Sequence, residues 1–312
     1  MEKNNQKKES IIIASLFILI PTIFLVTWYY FFPYELSSSI SFFLQIPMFL
    51  GLIFLLVGFF IKKNPLGNIL KILGWIIFAF YWAAQPSTLY FGEEGDIFNA
   101  AVCVIGVYVL FYIAYHEWLS IERNKNVSCL NWIAGASGIA GLIYFVIERT
   151  FIADLLIKEV AWESASVLNL IVGNSSANGD VIFLDGSYVV TIIFACTAIQ
   201  SMVIFIGMIG ALPKIDIKRK IIGLLITVIP IYVLNLFRNA LVTFLVGRNI
   251  TDFNMAHNVI SKAGSLAALI ILLVIVVKII PEVLNEILCL VDLHKRNGPI
   301  EKSIKSVFGR KK

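Results

Sequence analysis

Charge is scarce in this chain. Asp, Glu, Lys and Arg make up 14% of its 312 residues, apolar residues make up 59%, and mean hydropathy is +0.88. Soluble domains carry roughly 25% charged and about 45–50% apolar residues. A soluble globule of this size has nowhere to hide so much apolar surface. That excludes a cytosolic enzyme, a disordered chain and a nucleic-acid binder. Cysteine and histidine are scarce as well. Four cysteines are too few for a disulfide scaffold. Three histidines, His116, His257 and His294, cannot build a histidine-rich metal centre. No metal or cofactor is expected, and an integral membrane protein is what remains.

A spanning helix needs about 20 mostly apolar residues. Eight stretches qualify, near residues 11–32, 41–61, 66–85, 97–118, 130–150, 188–211, 221–246 and 263–288. The fold expected is all-α: a polytopic integral membrane helical bundle of about eight transmembrane helices, one membrane domain over 1–312. The first stretch follows a basic leader, but its apolar run is too long for a cleaved signal and no A-x-A site follows, so it reads as an uncleaved anchor. With the N-terminus inside, 18 of the 25 Lys and Arg residues fall in inner segments. Four fall outside (Arg149, Lys158, Arg248, Lys262) and three within spans (Lys71, Arg238, Lys278). This asymmetry predicts a multi-pass plasma-membrane protein with both termini cytoplasmic. It also accounts for the net charge of +5 without nucleic acid. The basic cytoplasmic tail, 289–312, reads as a topology anchor that touches anionic lipid.

The outer segments differ. PSTLYFGEEGD, between the third and fourth spans, is acidic. Residues 151–187 form a small extracytoplasmic segment. Leu155, Leu156, Val160, Val167, Leu168 and Ile171 recur at helical spacing, which predicts an amphipathic helix on the outer membrane face. NSSANGD is turn chemistry, and DVIFLDGSYVV predicts a hairpin about Asp-Gly, leading into the sixth span.

A charge inside a bilayer is costly, roughly 2.5–3.5 kcal/mol or more for Arg at mid-span, so a polar residue there is a functional candidate. The seventh span holds Arg238 with Asn235 and Asn239 on the same helix side, above Pro230, which can kink the helix. Snorkelling of Arg238 to the surface is the alternative to a polar pocket. The sixth span holds Cys196, Thr197, Gln200 and Ser201, with Cys196/Gln200 and Thr197/Ser201 at i, i+4. Cys103, Cys129 and Cys289 lack such neighbours. Cys196 and Arg238 each sit about eight residues, roughly 12 Å, below one outer surface. His257 lies in the outer loop before the last span. Alone it reads as a solvated surface residue. Together, cysteine, arginine and histidine can converge in a pocket open to the outside.

At these residues the chain resembles the exosortase/archaeosortase family of membrane-embedded transpeptidases. The motifs that carry the resemblance are ACTAIQS at 195–201, NLFRNALV at 235–242 and AHNVISKAG at 256–264. The order Cys196, Arg238, His257 fits the family, and so do the spacings of 42 and 19 residues. Ala198 stands where the family's motif often has glycine. Some relatives use another basic residue as third member, for which Arg248 and Lys278 are the nearest stand-ins.

The resemblance implies substrates that are exported proteins bearing a C-terminal motif, a membrane helix and a basic cluster. It implies cleavage near the motif and transfer of the new C-terminus to an acceptor, a membrane phospholipid head group in archaeosortases. Cys196 as thiolate would be the nucleophile, favoured by a fixed cation. Arg238 would supply that cation and stabilise the oxyanion. His257 would carry the proton. Gln200, Asn235 and Asn239 are candidate orienting or oxyanion groups. A transporter or channel subunit, or a non-catalytic scaffold for cell-surface assembly, are the alternatives.

Overall fold

The computed structural model describes residues 2–31, 38–61, 65–92 and 97–308. The side chains of Lys3, Lys7, Lys8, Lys62, Lys63, Arg310, Lys311 and Lys312, and the acidic loop residues Glu93, Glu94 and Asp96, lie outside the described residues. Among the described residues, seven helices are long and apolar enough to cross a membrane, so the chain is a polytopic helical membrane protein. The eighth expected span, 188–211, is not such a helix. Its first residues continue a strand, and only Ile199–Gly210 is α-helical. Twelve residues reach about 18 Å, well short of a hydrocarbon core about 30 Å thick.

The chain divides into two compact units. The first comprises Met1–Gly138 and Glu286–Lys312. Its helices are α1 (Glu2–Phe31), α2 (Ser38–Phe60), α3 (Leu66–Ala83), α4 (Gln85–Phe91), α5 (Ile97–Glu122) and the start of α6 (Ser128–Glu148). Helices α2 and α3 meet along glycines spaced by seven, Gly51 and Gly58 against Gly67 and Gly74. A Cβ built at Gly51 would lie 3.1 Å from the Gly74 carbonyl, and one at Gly58 would lie 2.9 Å from the Gly67 carbonyl. Small residues let membrane helices approach this closely.

Titratable residues are buried in this unit. Lys71 of α3 pairs with Glu117 of α5 at 2.9 Å, and Asn68 donates to the same carboxylate at 2.6 Å. His116 is fully buried. The tail is not a bare basic segment. It folds into a 3-10 turn over Asp292–Arg296 and a helix Pro299–Phe308, here α12. Glu301 of α12 accepts from Tyr112 at 2.8 Å and Tyr115 at 3.1 Å, and lies 3.2 Å from His116 Nε2. Arg296 donates to the His116 carbonyl at 2.8 Å.

The second unit is Ile139–Asn285. After the end of α6 it holds α7 (Phe151–Val172), a small sheet, α8 (Ile199–Gly210), α9 (Ile217–Gly247), a π-helical turn Met255–Ser261 that runs into α10 (Lys262–Ile279), and the start of α11 (Pro281–Val291). Helix α7 forms where an amphipathic helix is expected, with its buried face shifted. Ala153, Val160, Ala161, Ser164, Ala165 and Leu168 are buried, whereas Leu155 and Ile171 are exposed. The sheet is an antiparallel meander of β1 (Ser175–Asn178), β2 (Val181–Leu184) and β3 (Ser187–Thr191). The Asp-Gly hairpin is present, with positive φ at Asp185 and Gly186. NSSANGD is mostly strand rather than turn, because Ser175–Asn178 pairs with β2. The final span ends at Ile279, not 288. Ile280 leaves the helical region ahead of Pro281, as residues before proline do.

Candidate active site

Cys196 sits in a turn rather than on a spanning helix. Residues Phe194–Thr197 form one 3-10 turn, closed by the Cys196 N–H donating to the Ile193 carbonyl at 2.8 Å. The Thr197 hydroxyl donates back to the Phe194 carbonyl at 2.7 Å. Ala198 then takes a left-handed φ of 65°, and α8 begins at Ile199. The break separates Cys196 and Thr197 from Gln200 and Ser201, so the expected i, i+4 pairs do not share one helix. Gln200 is exposed on the first turn of α8. Cys196 is buried with its thiol free. It packs in one apolar cluster with Val160 and Ala161 of α7, Ile182 and Val190 of the sheet, Val242 of α9 and Ala256 of the π turn.

Helix α9 supplies the polar partners. Asn235 and Asn239, one turn apart, both donate their side-chain amides to the Cys196 carbonyl, at 2.7 Å and 3.1 Å. The Asn239 amide also reaches Ser164 Oγ of α7 at 3.4 Å, and its Oδ1 accepts from Arg238 Nη1 at 3.5 Å. Arg238 is half-buried, and its Nε donates to the Ser261 hydroxyl. One turn below Asn235, the Tyr232 hydroxyl donates to the Glu163 carboxylate of α7.

Ser261 closes the π turn that carries His257. His257 therefore lies on the first turns of a spanning helix, not in a loop as expected. Asp252 caps that start by accepting from the Met255 N–H at 2.8 Å. The His257 ring is half-buried and stacks on Phe253, with centroids 5.1 Å apart and planes 10° apart. Bulged π turns occur often at functional sites. The fold thus links Cys196 to Asn239, Asn239 to Arg238, and Arg238 to Ser261, four residues beyond His257.

A family model described as transmembrane exosortase matches residues 68–277. The chain belongs to the exosortase family. Among curated proteins, archaeosortase A of Haloferax volcanii is 22% identical over 262 residues, covering 72% of this chain and 85% of that protein. Archaeosortase A of Natronomonas pharaonis is 26% identical over 184 residues, covering 54% of this chain and 55% of that protein. No solved structure matches. In exosortase terms, the left-handed Ala198 explains the glycine that the family motif often carries there, since glycine adopts positive φ without strain. The two stand-ins for a third basic residue are placed elsewhere. Lys278 is 21 residues beyond His257 on the same run of helix, about 30 Å away. Arg248, just past the end of α9, pairs with Asp185 of the hairpin at 2.8 Å.

Sequence reasoning missed Ser261, Ser164 and Glu163. Ser261 was legible, because it lies within AHNVISKAG at one-turn spacing from His257. Ser164 and Glu163 carry no local signal, since only the packing of α7 on α9 turns them toward the site.

Proposed function

We propose that this exosortase-family chain is a membrane-embedded cysteine transpeptidase. It cleaves the C-terminal sorting signal of exported surface proteins and transfers the new C-terminus to a membrane lipid head group. The observation that carries this reading is the clamp on Cys196: a buried free thiol in a turn whose carbonyl is held by two asparagines flanking an arginine. Both archaeosortase relatives are named for sorting, which supports the same class.

Cys196 attacks the scissile carbonyl as thiolate. Arg238 stabilises the negative charge on the tetrahedral oxygen, with Ser261 fixing its guanidinium. His257 takes the thiol proton and returns it to the leaving amine. The chain downstream of the motif departs, leaving a thioester. An amine on a lipid head group then attacks the thioester and displaces Cys196. Asn235 and Asn239 direct both amides to the Cys196 backbone, so they act as positioning residues rather than oxyanion donors. The charge asymmetry puts both termini in the cytoplasm, which requires β3, the 3-10 turn and α8 to cross the membrane together beside the seven long helices, with Cys196 toward the outside.

The decisive experiment is Cys196→Ala in the full chain, inserted at normal abundance. The mass of an exported protein bearing the tripartite C-terminal signal should stay that of the uncleaved form. Conversion by Cys196→Ala at the wild-type rate would end the transpeptidase reading and favour a transporter or scaffold, which should barely respond to this change.

A further inference from the structure

Two cysteines and one buried carboxylate have no part in the chemistry above. All three lie in the first unit. Cys129 is the second residue of α6, and Glu286 and Cys289 are one turn apart on a single face of α11. The cysteines are 160 residues apart in sequence, yet the fold joins them as a disulfide. A Glu286 oxygen completes the group, and the three donor atoms lie within 4.8 Å of one another. Glu286 is only 9% exposed, and its Oε2 has no hydrogen-bond partner. Burying a carboxylate oxygen without a partner costs free energy that a bound cation removes. Among the described residues, this is the one cluster of three such donors.

We propose that Cys129, Cys289 and Glu286 form a site for one zinc-class divalent cation, filled when the two thiols are reduced. On the expected topology both cysteines lie at the inner membrane boundary, where the cytoplasm keeps thiols reduced. A dithiol reductant gives up two electrons and two protons and becomes a disulfide, while the Cys129–Cys289 bond opens to two thiols. The cation displaces both thiol protons to water and forms two metal–sulfur bonds, and Glu286 supplies an oxygen. Two thiolates with a carboxylate suit zinc, and a water completes four-coordination. Calcium and magnesium take oxygen ligands and are poorly served by sulfur. The filled site ties the start of α6 to α11 without a covalent bond. It is separate from Cys196, so failure of the transpeptidase assay leaves it standing.

The test uses the full-length chain, produced with zinc in the medium and purified in detergent with reductant and without chelator. Elemental analysis should find one zinc per chain. Cys129→Ser and Cys289→Ser should each lose it, Glu286→Gln should hold it more weakly against a chelator, and Cys196→Ala should keep it. Cobalt(II) added to the metal-free wild type should give a thiolate-to-metal absorption band, a readout on the unaltered chain that does not depend on how well the variants fold. Metal-free protein with both thiols open to alkylation and no cobalt band overturns the proposal. So does a Cys129–Cys289 disulfide that survives the reductant, or zinc retained by the Cys129→Ser/Cys289→Ser double variant.

Discussion

Asn235 and Asn239 converge on a single acceptor, the carbonyl oxygen of Cys196, which lies 39 and 43 residues away in sequence. Removing a donor from a buried carbonyl costs about 1–3 kcal/mol. If that cost falls on the reactive geometry of the turn, rates drop roughly tenfold or more, since 1.36 kcal/mol is a factor of ten. The Asn235→Ala/Asn239→Ala double variant should slow substrate conversion by that order while inserting normally, and each single variant, which leaves one donor on the carbonyl, should slow it less. Asn239→Ala should be the worse, because Asn239 also accepts from Arg238. Wild-type rates in the double variant would show that the clamp has no part in catalysis. Ala198 tests the same turn from the backbone side. A left-handed non-glycine residue carries about 1–2 kcal/mol of strain, and glycine relieves it while loosening the unfolded chain by about 0.4–1 kcal/mol. Ala198→Gly should therefore stabilise by up to about 1 kcal/mol in detergent melts with activity kept, and Ala198→Val, β-branched, should destabilise.

Helices α2, α3 and α5 show how an element can carry a charge through a membrane bundle. Lys71 projects from the glycine-lined side of α3, with its side chain beside Gly58, and meets a carboxylate that is itself fully buried. Hydropathy marks Lys71 as a weak point near the start of a span. It cannot show that Glu117, 46 residues on, comes to the same depth. Breaking a buried pair by removing one partner costs about 3–5 kcal/mol, whereas replacing both with apolar groups is often neutral. Lys71→Met should lower the thermal midpoint strongly, and Lys71→Met/Glu117→Leu should recover most of the loss. If Lys71→Met melts with wild type, the pair does not hold α3 to α5.

At the scale of the whole chain, the C-terminal tail belongs structurally to the first unit, which otherwise consists of residues before 139. Its tie is Glu301. Burial alone would raise the Glu301 carboxyl, but hydrogen bonds from His116 and Tyr112 outweigh it and hold the group at about 2, below its ordinary value of 4.5. A depressed carboxyl contributes stability that is present above the unfolded value and is lost as pH falls through the folded one. Docking of α12 should therefore be intact above about 4.5 and weaken steadily toward about 2. Glu301→Gln should lower stability near neutrality and flatten that acid limb in pH-dependent melts. An unchanged acid limb would mean that Glu301 does not anchor the tail.

Composition and hydropathy determined, by themselves, that this is a multi-pass helical membrane protein. The motifs named Cys196, Arg238 and His257 as candidate site residues. Those features are local: apolar runs, Asp-Gly at a hairpin, an arginine between asparagines. The tertiary structure decided what local pattern cannot carry. It ended the apolar run at 188–211 in a strand and a 3-10 turn, because Ser187–Thr191 finds β2 and Ala198 goes left-handed. It gave Asn235 and Asn239 a backbone acceptor, placed His257 on a π turn anchored to Arg238 through Ser261, and joined Cys129 to Cys289. Each of these depends on a partner tens of residues away, and only packing in three dimensions specifies which distant group a buried polar atom will meet.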